Sequence, residues 1–199
     1  FQDFASLEKY YQYLQNQKYL ALDGTRVRSI DEKDIANFLF LNGIEFQYEA
    51  PARWADHTAQ YRQYQPDFFL PKYRIWIEHW AIDRRGLVPA WFSHDESDNG
   101  SKRYKEGMEW KRAQFMKHGQ TLVETYHYQR DDGTIISALK HQLQKKQVVF
   151  RELMLPEILA QIRKMSQNND GFQDVMLSFL SKAKTNCLTI DDINTRLGT

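Results

Sequence analysis

Hydrophobic and polar residues alternate along the middle of the chain in a pattern typical of β-strands. In "IEFQYEA" every second position is apolar or aromatic, which is the period of a strand with one buried face. The runs "YQPDFFL" and "YRIWIEHWAI" predict two further strands, joined by a turn at Pro71 and Lys72. A fourth strand is predicted in "TLVETYHY". We therefore expect four strands between residues 44 and 128.

Helical spacing of apolar residues surrounds and separates these strands. In "SIDEKDIANFLFLNG", Ser29 and Glu32 match a capping box at the start of a predicted helix. A longer helix is predicted over roughly residues 103–118, and "IISALKHQLQKK" predicts another after the turn "DDGT". Helical patterns also fill "FASLEKYYQYLQNQKYL" and the chain after residue 155. This order predicts an α/β fold with helices on both sides of a sheet, and with helical N- and C-terminal extensions.

The composition limits the classes of function that fit the chain. Lys and Arg total 27 against 26 for Asp and Glu, so the net charge of +1 gives no global signal for a polyanionic partner, and any nucleic-acid surface must be a local patch. The single cysteine, Cys187, excludes an internal disulfide framework and a cysteine-rich zinc site, and it fits a cytoplasmic location. No apolar run approaches the ~18 residues of a membrane span, so we expect no membrane partner. Because the sequence starts at Phe1 and continues at once into a helical pattern, we interpret it as part of a longer protein.

Two acidic residues lie in unusually apolar surroundings. Asp67 follows a proline in the second predicted strand, and Glu78 lies between Trp76 and Trp80 on one face of the third. Ten residues separate the two acids, so a hairpin with its turn near Pro71 would bring them together. Two converging carboxylates repel each other unless a proton or a cation lies between them, and oxygen ligands favour a hard divalent cation, typically Mg²⁺. The alternative for Glu78 is a solvent-facing position on an edge strand.

Two further residues could complete this predicted metal site. Glu32, in the first turn of the helix before the sheet, could approach the metal directly or through water. Lys111, on the long helix, could supply positive charge to a phosphate beside a metal-bound water. Simpler roles stay open, with Asp67 as a turn residue, Glu32 as a capping residue and Lys111 as a solvated charge. His79 points away from Glu78 in a strand, so a core histidine is the simpler interpretation for it.

The order of these motifs resembles that of the PD-(D/E)xK nucleases, restriction endonuclease-like enzymes that cut DNA with Mg²⁺. The resemblance is carried by a glutamate in an early helix, then Pro-Asp, then ten residues and the strand glutamate. It is closer still to the nuclease-like domain of UvrD/Rep-type, helicase IV-like superfamily 1 DNA helicases. In those domains, stretches like "YQPDFFLP", "IWIEHWAID" and "DDGTIISALKHQL" occur in this order. The resemblance covers roughly residues 20–145.

The resemblance implies a fold, a metal and a set of site residues. The fold would be a restriction endonuclease-like central mixed sheet flanked by helices. Asp67, Glu78 and Glu32 would hold Mg²⁺ or Mn²⁺, and together with Lys111 they would cleave phosphodiester bonds. DNA and the remainder of the helicase chain are the implied partners. The sequence contains no GxxxxGK[ST] phosphate loop, so ATP would bind only elsewhere in the parent helicase.

The same resemblance divides the chain into three segments. Residues 25–147 are expected to form the nuclease-like domain. Residues 1–24 and 148–199 are expected to be helical segments of the helicase accessory region.

One departure separates this chain from the family pattern. Trp80 occupies the position of the usual lysine in Glu-x-Lys, so the lysine role is expected of Lys111 on the following helix. The departure also favours an alternative, a catalytically degenerate nuclease fold that binds and positions DNA for the helicase motor. A protein-docking module is a third hypothesis. Basic residues on the long helix are candidates for phosphate contacts, although a solvated helix face is equally consistent: Lys102, Arg103, Lys105 and Arg112.

Overall fold

The computed structural model of the chain describes residues 19–56, 63–89 and 100–166. In chain order its elements are β1 (Tyr19–Leu20), β2 (Arg26–Val27), α1 (Ile30–Leu41), β3 (Gln47–Tyr48), β4 (Phe68–Leu70), β5 (Ile75–Trp80), α2 (Gly100–Lys117), β6 (Thr121–Tyr126), α3 (Tyr128–Asp131), α4 (Ile135–Lys145) and α5 (Leu155–Ser166). The helices predicted before residue 19 and after residue 166 lie outside the described residues. None of the helices within these ranges has the length and apolar character needed to cross a bilayer.

The described residues pack into two compact units. The first contains residues 19–44 and 149–166, and the second contains residues 45–148. The sequence-based boundaries placed residues 25–44 with the sheet, whereas the packing of the chain groups them with its C-terminal part.

The first unit combines a small hairpin with two helices. Strands β1 and β2 pair antiparallel around the turn at Asp23. Tyr19 and Leu20 therefore form a strand, although the sequence predicts that they are the last residues of a helix. The short reverse turn explains the difference, since Ala21 N donates to the carbonyl oxygen of Thr25 at 2.9 Å and closes the hairpin. One buried cluster of this unit contains Leu20, Leu22 and Ile158, with Phe40, Leu41 and Leu153 packed against it.

The start of α1 matches the capping box predicted from the sequence. Ser29 has extended backbone angles, and its Oγ accepts a hydrogen bond from Glu32 N at 3.1 Å. The Glu32 carboxylate accepts in return from Ser29 Oγ at 2.9 Å and from Arg28 N at 3.1 Å. The helix ends before Gly43, whose φ is +62°, and a Cβ there would lie 2.8 Å from the carbonyl oxygen of Arg151. Only glycine fits that approach without a shift of the backbone.

The second unit is built on a mixed four-stranded sheet in the order β3-β4-β5-β6. The pairs β3–β4 and β4–β5 are antiparallel, and β5–β6 is parallel. The predicted turn at Pro71 and Lys72 is confirmed, because residues 71–74 form the turn between β4 and β5. The first predicted strand is shorter than expected. It is limited to Gln47–Tyr48, since Glu49 has a φ of +50° and leaves the extended conformation.

Helix α2 provides the crossover that parallel strands require between β5 and β6. It ends at Lys117 and is followed by Gly119, whose φ is +60° and whose N–H bonds to the carbonyl oxygen of Met116 at 3.2 Å. Gln120 N bonds to the carbonyl oxygen of Phe115 at 2.9 Å, which completes a Schellman motif. The helix predicted over residues 103–118 is therefore confirmed, with an earlier start at Gly100.

Alternation along β5 directs its side chains to two faces, as predicted. Trp76 lies in an aromatic and small-residue cluster with Phe115 of α2, and its ring stacks on Phe69 at 4.1 Å. His79 lies on the other face, where its Nδ1 is 2.9 Å from Thr125 Oγ1. The face that carries Trp76, Glu78 and Trp80 is therefore the face covered by α2.

The capping box gives a prediction about stability. Replacement of Ser29 by alanine should lower the free energy of unfolding by about 1 kcal/mol, because Glu32 N loses its acceptor. Urea titrations followed by circular dichroism would measure the change. Ser137→Ala is a matched control, since Ser137 is an exposed serine inside α4, whose hydroxyl bonds to the carbonyl of Thr134. A loss for Ser29→Ala no larger than that for Ser137→Ala would contradict the assigned cap.

Candidate functional site

Asp67, the residue before β4, lies opposite Glu78 of β5. The β4–β5 register pairs Phe68 with Ile77, and its continuation by one residue places Asp67 opposite Glu78. Asp67 Oδ2 accepts a hydrogen bond from His79 N at 2.6 Å, so the backbone beside Glu78 holds this carboxylate. The hairpin thus brings the two predicted acids together.

Glu78 is a buried carboxylate on an interior strand, with only 2% of its surface exposed. The alternative of a solvent-facing edge position is therefore wrong. Lys111 Nζ lies 3.3 Å from both Oε1 and Oε2, and the Tyr64 hydroxyl donates a short hydrogen bond to Oε1. Burial raises the pKa of Glu78 above its ordinary value, while the Lys111 charge and the Tyr64 hydroxyl act in the opposite direction.

Aromatic rings enclose the ammonium group of Lys111. Its Nζ lies 5.0 Å from the centre of the Tyr64 ring and 5.1 Å from that of Trp80, within the range of cation–π attraction. Trp80, which stands where the family pattern has lysine, therefore forms one wall of the pocket that holds the helix-borne lysine. Its Nε1 also donates to Glu124 Oε1 at 2.7 Å.

A second ion pair adjoins the first. Parallel pairing of β5 and β6 sets Glu124 beside Glu78, and Glu124 Oε1 accepts from Arg112 Nε at 2.7 Å. Arg112 also donates from Nη2 to the Tyr126 hydroxyl at 3.1 Å. Burial lowers the pKa of the Arg112 guanidinium, but the hydrogen bond and charge of Glu124 outweigh burial and raise it overall. Arg112 is thus an ion-paired residue of the site and not a solvated charge on the helix face.

The sequence analysis missed Tyr64 and Glu124. Tyr64 precedes β4 and faces Glu78 across the sheet surface, although nothing in its local sequence marks it as a partner of a carboxylate. Glu124 shares the face of Leu122 and Tyr126 in the alternating pattern of β6, which is a signal visible in the sequence. Its proximity to Glu78 depends on the parallel β5–β6 pairing, which the sequence does not reveal.

The remaining predicted site residues are Glu32 on α1 and three basic residues on α2. Glu32 belongs to the first unit, where its carboxylate completes the capping box with Ser29. Lys102, Arg103 and Lys105 are exposed in the first turns of α2.

The assembled site contains three carboxylates and two cationic side chains. Glu78 pairs with Lys111 and Glu124 with Arg112, while Asp67 adds a third carboxylate close to Tyr64. One negative charge is in excess when all five groups are ionised. Such a site can accept a cation, hold a phosphate beside the ammonium group, or do both in sequence.

Comparison with known proteins adds no identification: the chain matches no family model, no curated protein and no solved structure.

Loss of the Lys111 ammonium should destabilise the fold in a pH-dependent way. Lys111→Met leaves Glu78 as an uncompensated buried charge, so we expect a loss of about 3 kcal/mol at pH 8. Burial already places the folded-state pKa of Glu78 above that of the unfolded chain, and the variant moves it further upward. Ionisation of Glu78 then lowers stability as the pH rises, and the loss should shrink as the pH falls, because a larger fraction of Glu78 is then protonated.

Urea unfolding of both proteins at pH 5 and pH 8 would measure this dependence. Lys117→Met is the control on the same helix, since Lys117 is 61% exposed and pairs with Asp56 at the surface. A surface pair of this kind contributes about 0–1 kcal/mol. An equal loss for Lys111→Met at both pH values would show that the ammonium does not compensate Glu78.

Proposed function

We propose that this chain is a nuclease-like module of a superfamily 1 DNA helicase, which binds DNA and cleaves phosphodiester bonds with Mg²⁺ or Mn²⁺. The observation that carries the proposal is the joint position of Asp67, Glu78 and Lys111. One carboxylate lies directly before β4 and the other on β5, and an ammonium group from the crossover helix lies 3.3 Å from the second. This combination supplies oxygen ligands for a hard cation and a positive charge for a phosphate.

The donor set of the site fits a divalent metal. Burial raises the pKa of the Tyr64 hydroxyl, and the nearby negative charges of Glu78 and Asp67 raise it further. Both carboxylates therefore lie close enough to the Tyr64 hydroxyl to act on it. Their two negative charges, when ionised, exceed the single positive charge of Lys111. Asp67 and Glu78 would hold the metal, which supplies a bound water of lowered pKa and neutralises charge on the phosphate. The carboxylate of Glu32 is engaged by the helix cap, so the proposal does not depend on it.

The other residues would orient and stabilise the reacting groups. Lys111, held between the Tyr64 and Trp80 rings, would direct its ammonium group towards the negative charge that develops on the phosphate. The Tyr64 hydroxyl fixes Glu78 Oε1, which leaves the orientation of that carboxylate little freedom. Preorganisation of this kind lowers the cost of reaching the transition state, because the charges need no rearrangement.

The wider assignment is supported by the sequence resemblance over roughly residues 20–145. A mixed sheet flanked by helices is the layout that a restriction endonuclease-like fold implies, and the second unit has it. ATP hydrolysis would belong to the remainder of the helicase chain, because this sequence contains no phosphate loop.

A second candidate function is a degenerate nuclease fold that binds and positions DNA for the motor. The observation that favours it is the compensation of Glu78 by Lys111 and Tyr64, which makes a metal unnecessary for burial of this carboxylate. Such a module would bind DNA with strong dependence on salt and without dependence on Mg²⁺.

The two candidates differ first in metal binding. Calorimetric titration of Mg²⁺ and Mn²⁺ into the chain, with and without DNA, should give a binding signal that Glu78→Gln and Asp67→Asn weaken. Mutation of a residue that only hydrogen-bonds to a metal ligand typically lowers metal affinity about 10–100-fold. Loss of a ligand itself should therefore lower the affinity by more than that. Absence of metal binding under both conditions would favour the degenerate module.

Cleavage of labelled DNA tests the catalytic proposal directly. Glu78→Gln and Asp67→Asn should each reduce Mg²⁺-dependent cleavage by more than about 100-fold, because each removes one proposed ligand. Asp56→Asn is the matched control, since it makes the same carboxylate-to-amide change in a surface ion pair with Lys117. Cleavage that survives in both site variants would rule out these carboxylates as metal ligands, provided that the wild-type chain cleaves.

A further inference from the structure

Two tyrosines stack at the end of the central sheet. The rings of Tyr126 and Tyr128 are 5.2 Å apart at an interplanar angle of 20°, which is an offset parallel arrangement. Both residues are half-buried. We call this pair the tyrosine stack.

Backbone hydrogen bonds hold the tyrosine stack in place. Its connecting residue His127 donates its N–H to the carbonyl oxygen of Trp80 at 2.9 Å, and Tyr128 N donates to that of Ile82 at 3.3 Å. Tyr126 N bonds to Gln129 Oε1 at 2.9 Å. These contacts extend the β5–β6 pairing past the last strand residue, so the rings are positioned by the sheet and not by a free loop.

A guanidinium group lies at each end of the tyrosine stack. Arg112 contacts the Tyr126 hydroxyl at 3.1 Å, and the Arg84 guanidinium carbon lies 5.6 Å from the centre of the Tyr128 ring. Arg84 forms a short ion pair with Asp132, yet 69% of its side chain is exposed. The Arg112 guanidinium is paired with Glu124, and 39% of its side chain is exposed. A partly exposed aromatic pair with guanidinium groups beside it offers rings for bases and positive charge for phosphates, which is the combination that binds single-stranded nucleic acid.

The tyrosine stack adjoins the carboxylate site on the same face of the sheet. Tyr126 pairs with Trp80 in the β5–β6 register, as Glu124 pairs with Glu78. The two pairs are two positions apart along the strands, which corresponds to a distance of about 6–7 Å. A strand of nucleic acid with one phosphate at Lys111 would therefore pass the tyrosine stack within a short distance.

We propose that the tyrosine stack binds unpaired bases of single-stranded DNA and guides that strand to Glu78 and Lys111. Every base has a face that can stack, so recognition would tolerate any sequence. Bases in a duplex are stacked on each other and do not offer these faces. The inference rests on the proposed function for the identity of the ligand, and it deepens that function by naming single strands as the substrate class.

Fluorescence anisotropy with a labelled twelve-residue thymidine oligonucleotide would test the proposal, with EDTA present so that binding is separated from cleavage. Tyr128→Leu removes a ring and should weaken binding roughly 5- to 100-fold, the range for loss of one stacked base. Tyr128→Phe should retain the affinity of the wild-type chain, which also shows that the position tolerates substitution. An abasic oligonucleotide of equal length and a duplex should bind more weakly than the thymidine strand.

Tyr73 provides a matched control at the opposite end of β5. Lys72 Nζ lies 5.5 Å from the centre of its ring, so Tyr73→Leu also removes a tyrosine beside a cation. We expect no change in affinity for Tyr73→Leu. Equal affinity of the wild-type chain for the thymidine and abasic strands, or an unchanged affinity in Tyr128→Leu, would overturn the proposal. So would a fall in Tyr73→Leu as large as that in Tyr128→Leu.

Cleavage assays with Mg²⁺ separate this proposal from the preceding one. Stacking that behaves as expected while the wild-type chain cuts no DNA would leave the tyrosine stack supported and the nuclease activity refuted. Cleavage that depends on Glu78, with no effect of Tyr128→Leu on single-strand binding, would refute the tyrosine stack alone.

Discussion

The contact between Glu78 and Lys111 is the interaction on which the arrangement of the second unit depends. A carboxylate with 2% exposure on an interior strand is costly unless charge and hydrogen bonds compensate it. Lys111 can reach Glu78 only if α2 crosses that face of the sheet in one register, and Trp80 then forms the wall behind the ammonium group. Asp67, Tyr64 and Glu124 take their places around this pair. The need to compensate the buried Glu78 carboxylate therefore explains why the polar groups of the site lie close together.

Local features of the fold were predictable from the sequence because they depend on neighbouring residues. The capping box at Ser29, the turn after Leu70 and the two faces of β5 follow from short-range geometry. The convergence of Asp67 and Glu78 follows from a hairpin, which is also a local structure. The shorter first strand could not be foreseen, since the left-handed backbone of Glu49 leaves no mark in the alternating pattern.

The parts of the site that the sequence did not reveal depend on contacts between distant residues. Glu124 reaches Glu78 through parallel pairing across a long crossover, and the alternating pattern of β6 does not specify its neighbour. The role of Arg112 was not predictable from the sequence for the same reason. The sequence presents it as one of several basic residues on a helix, whereas its partner Glu124 lies on a strand that periodicity cannot assign to that helix.

The parallel pairing of β5 with β6 has a consequence for the order in which the site forms. The β4–β5 hairpin closes locally, but the compensating ammonium of Lys111 lies 33 residues after Glu78 along the chain. Closure of that long segment costs chain entropy before the contact is gained. A growing chain that has emerged only as far as β5 carries both acidic residues without their cation. The polar site is thus completed only when the crossover has folded, so its assembly reports on the integrity of the whole unit.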